Sequence, residues 1–93
     1  MSTIKKLVKE QGATVIDVRS SWEFDEGHVE GAINIPLDEI PMRIDDIKQM
    51  QQPVIVYCRS GGRSSMAMGF LQQGGLSTVF NGGGLADMQL QLM

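Results

Sequence analysis

Pro53-Val54-Ile55-Val56-Tyr57-Cys58-Arg59-Ser60-Gly61-Gly62-Arg63-Ser64 runs from a β-branched stretch through a glycine pair into a helical pattern. An unbroken apolar strand followed by a turn and a helix points to a strand covered on both faces, as in a parallel sheet. Cys58 stands at the break and is the only cysteine in the chain. The strand end is expected to expose its sulfur. Gly61 and Gly62 tolerate positive φ, so successive N–H groups can curl around an anion. The helix that follows adds the positive end of its dipole. Arg59 and Arg63 bracket the turn, and cations beside a helix N-terminus lower a thiol pKa from about 8.5 to roughly 3.5–7.5. A lone cysteine is more often an inert core residue. A core position would not be followed by a Gly-Gly turn and flanked by two charges, so Cys58 is read as a reactive thiolate.

On either side of this unit, short apolar runs alternate with amphipathic stretches, and no linker or repeat divides residues 1–93. Ile4, Leu7 and Val8 mark an opening helix with Ser2 as its N-cap. Residues 13–18 read as a strand covered on both faces, and residues 32–35 as a short strand ended by Pro36. Leu37, Ile40, Ile44 and Ile47 recur at helical spacing, with Pro41 tolerable only near the start of that helix. Met66, Ala67, Phe70 and Leu71 give one face to the helix after Cys58, which Gly74 and Gly75 should stop. Residues 77–80 form a further strand, left through an Asn81-Gly82-Gly83-Gly84 loop, and Leu85, Met88 and Leu92 mark a last helix.

This alternation predicts a single α/β domain over residues 1–93 with right-handed crossovers. Its core would be a mostly parallel sheet of about four to five strands with helices on both faces. Ligands bind such sheets outside the carboxyl ends of the strands. The loops led by Arg19, Cys58 and Gly82 should therefore share one edge, with the thiol facing a pocket between them.

Composition excludes several classes. Hydrophobic residues at 42% and charged residues at 20% fit an ordinary soluble domain. No apolar run approaches the roughly 18 residues of a membrane span, and the N-terminal residues lack a signal peptide's apolar stretch. A cytoplasmic protein is expected. A net charge of −3 argues against a nucleic-acid surface. One cysteine and one histidine without ligand spacing make neither a disulfide nor a metal site, and no cofactor is expected.

Four blocks then carry a resemblance. They are Ile16-Asp17-Val18-Arg19; Glu23-Phe24, Gly27-His28-Val29 and Gly31-Ala32-Ile33-Asn34-Ile35-Pro36; residues 56–64; and Val79-Phe80-Asn81-Gly82-Gly83. In this order they resemble a single-domain rhodanese. The resemblance implies the rhodanese α/β fold and a catalytic Cys58 that carries a persulfide. It also implies transfer of sulfane sulfur from a small anionic donor such as thiosulfate to cyanide or a thiol. Many members have a tryptophan shortly after the Gly-Gly pair, where this chain has Gly84-Leu85-Ala86-Asp87-Met88. Protein tyrosine phosphatases, and the cell-cycle phosphatases of the same fold, carry one residue more between cysteine and arginine than the four found here. The shorter loop favours a single extra sulfur over a tetrahedral phosphate, and no second cysteine is present for an arsenate-reducing relay.

Arg59, Ser60, Gly61, Gly62, Arg63 and Ser64 are then the expected substrate-binding residues, with backbone N–H groups aimed at the outer sulfur. Arg59 is expected to draw in the dianion, and Arg63 to fold back on loop carbonyls. Asp17 and Arg19 are expected to brace the loops. His28 is read as structural, Asp25, Glu26 and Glu30 as solvated surface, Trp22 as either core or pocket rim with core preferred, and the methionines mostly as core filler. The sulfur acceptor must come from outside. An alternative function is a persulfide carrier that docks on a specific acceptor protein and turns over small molecules slowly.

Overall fold

Five consecutive buried residues, Val54–Cys58, form the strand at the heart of the fold, in a computed structural model that describes residues 3–93. In chain order the elements are α1 (Thr3–Lys9), β1 (Thr14–Asp17), α2 (Ser21–Glu26) and β2 (Ile33–Asn34). A 3₁₀ helix (Leu37–Met42), α3 (Ile44–Lys48) and β3 (Val54–Cys58) follow, then α4 (Gly62–Gln73), β4 (Val79–Gly84) and α5 (Leu85–Leu92). The four strands lie in the order β2-β1-β3-β4, and every pair is parallel. This is the α/β architecture expected from the alternating pattern. The proposed cap Ser2 lies outside the described residues. Among those residues no helix is long and apolar enough to cross a membrane.

Strand periodicity divides the core into two layers. Val54, Val56 and Cys58 of β3, with Ile16 and Val18, pack against Ile40, Ile47, Ala67 and Leu71 on one face. Ile55 and Tyr57, with Val15, pack against Ile4, Leu7 and Met88 on the other. Met88 is fully buried and packs α5 onto this second layer. The adjacent Asp87 carboxylate accepts the Gly84 N–H at 2.9 Å, which fixes the start of α5.

Several expectations need correction. The single helix expected across Leu37 to Ile47 is two pieces, because Pro41 offers no N–H and disfavours an α conformation at Ile40. The chain takes a 3₁₀ turn with Pro41 inside it and restarts as α3. Asn81-Gly82-Gly83-Gly84 is not a loop beyond β4 but the second half of β4 itself. Trp22 is not core: it is 62% exposed, on a helix that buries none of its residues. Met88 is buried, and Met50 and Met68 pack on the core. Met42, Met66 and Met93 are exposed, so methionine is core filler at only some positions. Exposure of Met66 also removes it from the buried face of α4, which consists of Ser64, Ala67 and Leu71.

Candidate active site

Parallel strands carry the ends of β1, β3 and β4 to one edge, and there Asp17-Arg19, the Cys58 loop and the β4 glycines converge. The sulfur is not exposed as expected: Cys58 is 1% accessible and belongs to the core layer under α4. It is nevertheless held by the turn above it. The Gly61 N–H donates to Sγ at 3.0 Å, and the Ser64 N–H does so at 3.4 Å. Gly61 adopts φ +99 and caps α4, a conformation that turns its N–H toward the sulfur and that side-chain-bearing residues rarely adopt.

The Ser64 hydroxyl lies 3.4 Å from Sγ, 3.1 Å from the Gly61 carbonyl and 2.7 Å from Asn81 Oδ1. Its one hydrogen can serve only one of these acceptors at a time. Burial is the strongest single influence on the thiol and pushes its pKa up. The Ser64 hydroxyl and the N–H groups of Ser64, Ser60 and Gly61 together outweigh burial, so Cys58 ionises below its ordinary pKa. The main support for the thiolate is thus the loop's own N–H and O–H groups, rather than the two guanidinium groups expected from sequence.

The arginines differ. Arg63 does not fold back on loop carbonyls. Its guanidinium makes a bidentate pair with Glu23 of α2, at 2.7 Å and 3.0 Å, a geometry that gives strong, directional bonds. Arg59 is exposed, with no hydrogen-bond or ion-pair partner among the described residues. It lines a pocket of 380 Å³ together with Trp22, Glu26, Leu85 and Arg19. Trp22 therefore rims the pocket. The carbonyl anchoring expected of Arg63 is supplied by Asn81, whose Nδ2 donates to the Gly61 carbonyl at 3.3 Å. Its Oδ1 accepts the Gly83 N–H at 2.9 Å. Neither Glu23 nor the Asn81 side chain was singled out from sequence.

Glu23 also accepts the Ser20 N–H and hydroxyl at 3.2 Å and 3.0 Å. Its bond to Arg63 is the largest influence and holds its pKa down to about 2. A carboxylate depressed in the folded state stabilises above its unfolded pKa of about 4.3, and that contribution fades as pH falls toward 2. The stability deficit of Glu23→Gln, read from urea midpoints, should be full at pH 7 and shrink steadily below about pH 4. A deficit independent of pH would show that the ion pair is not its source.

Asp17 and Arg19 form the brace. Asp17 is fully buried, and the Arg19 Nη2 donates to its carboxylate at 2.6 Å and to the Gly27 carbonyl at 2.7 Å. Arg19 also lies over the Tyr57 ring, 5.8 Å from its centroid. Asn34 ties the segment down by donating to the Asp17 and Arg19 carbonyls at 3.0 Å each. His28 stacks on Phe24 at 3.6 Å and meets its carbonyl oxygen at 2.7 Å.

A buried, hydrogen-bonded cysteine in a four-residue turn on a parallel sheet defines a thiolate cradle on an α/β domain. The chain belongs to the rhodanese-like domain family, whose sequence model matches residues 1–89. It is 41% identical over 76 residues to the Escherichia coli thiosulfate sulfurtransferase PspE, covering 81% of this chain and 73% of that protein. A protein of Allochromatium vinosum named as a sulfurtransferase is 33% identical over 80 residues, 86% of this chain and 74% of the other. Among solved structures, a rhodanese from E. coli with anions superposes with a TM-score of 0.74 at 41% identity, covering 81% of this chain and 89% of that one. A human single-domain sulfurtransferase shares the fold, with a TM-score of 0.79 at 22% identity over 97% of this chain and 91% of that one.

Proposed function

We propose that residues 1–93 act as one rhodanese domain that moves sulfane sulfur from thiosulfate, or a related anionic donor, to cyanide or a thiol through a Cys58 persulfide. The observation that carries this reading is the Gly61 N–H donating to Cys58 Sγ at 3.0 Å, in a turn with four residues between Cys58 and Arg63. The Cys58 thiolate attacks the outer sulfur of thiosulfate, a new S–S bond forms as the old one breaks, and sulfite leaves with its electron pair. The N–H groups that hold the thiolate are placed to hold the persulfide anion in turn. An acceptor then attacks the outer sulfur and Cys58 departs as thiolate. A cytoplasmic location belongs to this reading, since with one cysteine the fold needs no oxidising compartment. Thiocyanate formation from thiosulfate and cyanide tests the reading, together with an intact mass one sulfur heavier after incubation with thiosulfate. Absence of both would overturn it.

The unpaired Arg59 is the recruiting cation in this scheme, and the Glu23-bound Arg63 is a structural strut. Arg59→Ala should raise the KM for thiosulfate about tenfold with little change in kcat, the pattern of lost uniform binding. Arg63→Ala should lower kcat about tenfold or more and also lower the melting temperature, because α2 loses its tie to the loop. The opposite assignment of KM and kcat effects would reverse the two roles.

Alkylation gives a check independent of any substrate. Since the loop holds Cys58 below its ordinary pKa, the iodoacetamide rate should titrate with a midpoint clearly below about 8.5. Ser64→Ala removes one supporting hydroxyl and should move that midpoint upward. A wild-type midpoint at or above 8.5 would mean that burial wins over the N–H groups.

A further inference from the structure

The 3₁₀ helix, the start of α2 and the outer face of α4 enclose a cleft of 680 Å³. Its apolar lining includes Pro36, Leu37, Pro41, Met66 and Phe70, and Met66 is 57% exposed. A flexible, polarisable methionine left in water on an apolar cleft is characteristic of surfaces that accept a side chain from a partner. Asp38 and Glu39 also line it, and neither carboxylate has a hydrogen-bond or ion-pair partner among the described residues. Arg63 is the one cation in the lining, and Glu23 already neutralises it at 2.7 Å. The cleft is therefore apolar inside and negative at its rim. It also abuts the thiol loop: Arg63 lines this cleft, while its partner Glu23 lines the Arg59 pocket. The ion pair stands between the two spaces.

We propose that this cleft seats a segment of an acceptor protein that carries basic residues around an apolar one, with the receiving cysteine a few residues away. Complementarity of charge and of apolar surface defines the occupant. The proposal rests on the sulfur-transfer reading and names its acceptor class. The acceptor thiol gives its proton to the outer sulfur of the Cys58 persulfide anion and attacks that sulfur as a thiolate. A new S–S bond forms as the old one breaks, Cys58 leaves as thiolate, and the outer sulfur keeps its proton. No outside oxidant or reductant takes part. An extended chain advances about 3.3–3.6 Å per residue, so a short stretch crosses the ion pair from cleft to loop.

Two capped peptides test this, each with one cysteine three residues from either a Lys-Leu-Lys or a Glu-Leu-Glu run. Sulfur transfer from thiosulfate-loaded protein, followed by mass spectrometry at low salt, should be about tenfold faster to the lysine peptide. Asp38→Asn/Glu39→Gln should erase that preference while leaving thiocyanate formation at the wild-type rate. Equal rates for the two peptides, or a preference that survives the double substitution, would overturn the docking site. Binding is read separately by titrating serine-for-cysteine versions of the peptides into Cys58→Ser protein. The lysine form should bind about fivefold more tightly, again only with Asp38 and Glu39 present. Selective binding without any transfer would retain the surface and sink the sulfur-transfer reading; transfer without selective binding does the reverse. A wild-type dimer in sedimentation that Met66→Ser dissociates would show the cleft to be filled by a second copy, which also overturns the proposal.

Discussion

Cys58→Ser should reduce thiocyanate formation by at least about a thousandfold, to the background of the uncatalysed reaction. No other thiol exists in the chain to take its place. Serine is nearly isosteric, and its Oγ can accept the Gly61 and Ser64 N–H groups that now reach Sγ. The fold should therefore persist, with a melting temperature close to wild type. What is lost is ionisation: the same N–H groups that draw a thiol below its ordinary pKa cannot bring an alcohol to its anion near neutrality. Incubation with thiosulfate should leave the variant's intact mass unchanged. Retention of even a tenth of the wild-type rate in a well-folded Cys58→Ser protein would remove the persulfide from the mechanism.

The parts of this arrangement that local chemistry dictates were legible in sequence. A five-residue apolar strand between Pro53 and Arg59 has few alternatives to a central parallel position, and it has that position. The glycine turn, the helix behind it and the Asp17-Arg19 pair also follow from short-range patterns. The misread parts depend on what lies across space. Glu23 and Arg63 are forty residues apart, and nothing local to either one announces the pair. In the structure a capping box of Ser20 and Glu23 starts α2, and that start is what fixes Glu23 where Arg63 finds it. For Trp22 the sequence leaves both core and pocket rim open, with core preferred. The structure selects the rim: Trp22 lies on the short helix α2 and lines the Arg59 pocket.

The β4 glycines were misread for a related reason. Glycine carries no apolar periodicity, so 82–84 looked like a loop, whereas the strand continues and bulges. From Val56 to Cys58, β3 advances by two residues while β4 goes from Asn81 to Gly84, and the added residue lets the edge bend toward the thiol loop. Gly83 supplies the positive φ of +87. The requirement for glycine at position 84 is of another kind, because its backbone there, at φ −95, suits any residue. What forbids a side chain is the neighbouring loop.

Gly84→Ala puts that reason to the test. A Cβ at Gly84 would press into the Arg59 carbonyl oxygen and lie 3.0 Å from its carbon. The obstacle is backbone, so no rotamer relieves it, and β4 must part from the residue after Cys58. Overpacking of this kind costs about 1–3 kcal/mol, and the melting temperature should fall by several degrees. The larger effect is on chemistry. A displacement of about 1 Å at a reacting group is enough for roughly a hundredfold loss of rate. Sulfur transfer should therefore fall far more than stability does, and the alkylation midpoint of Cys58 should rise as its N–H partners move off. Gly69→Ala is the matching control. A Cβ there meets nothing within 4 Å, and the position is inside α4, where alanine should stabilise by about 0.8–1 kcal/mol and leave the rate alone. A folded Gly84→Ala protein with half the wild-type rate and an unmoved alkylation midpoint would show that the close approach of β4 does not shape the thiol loop.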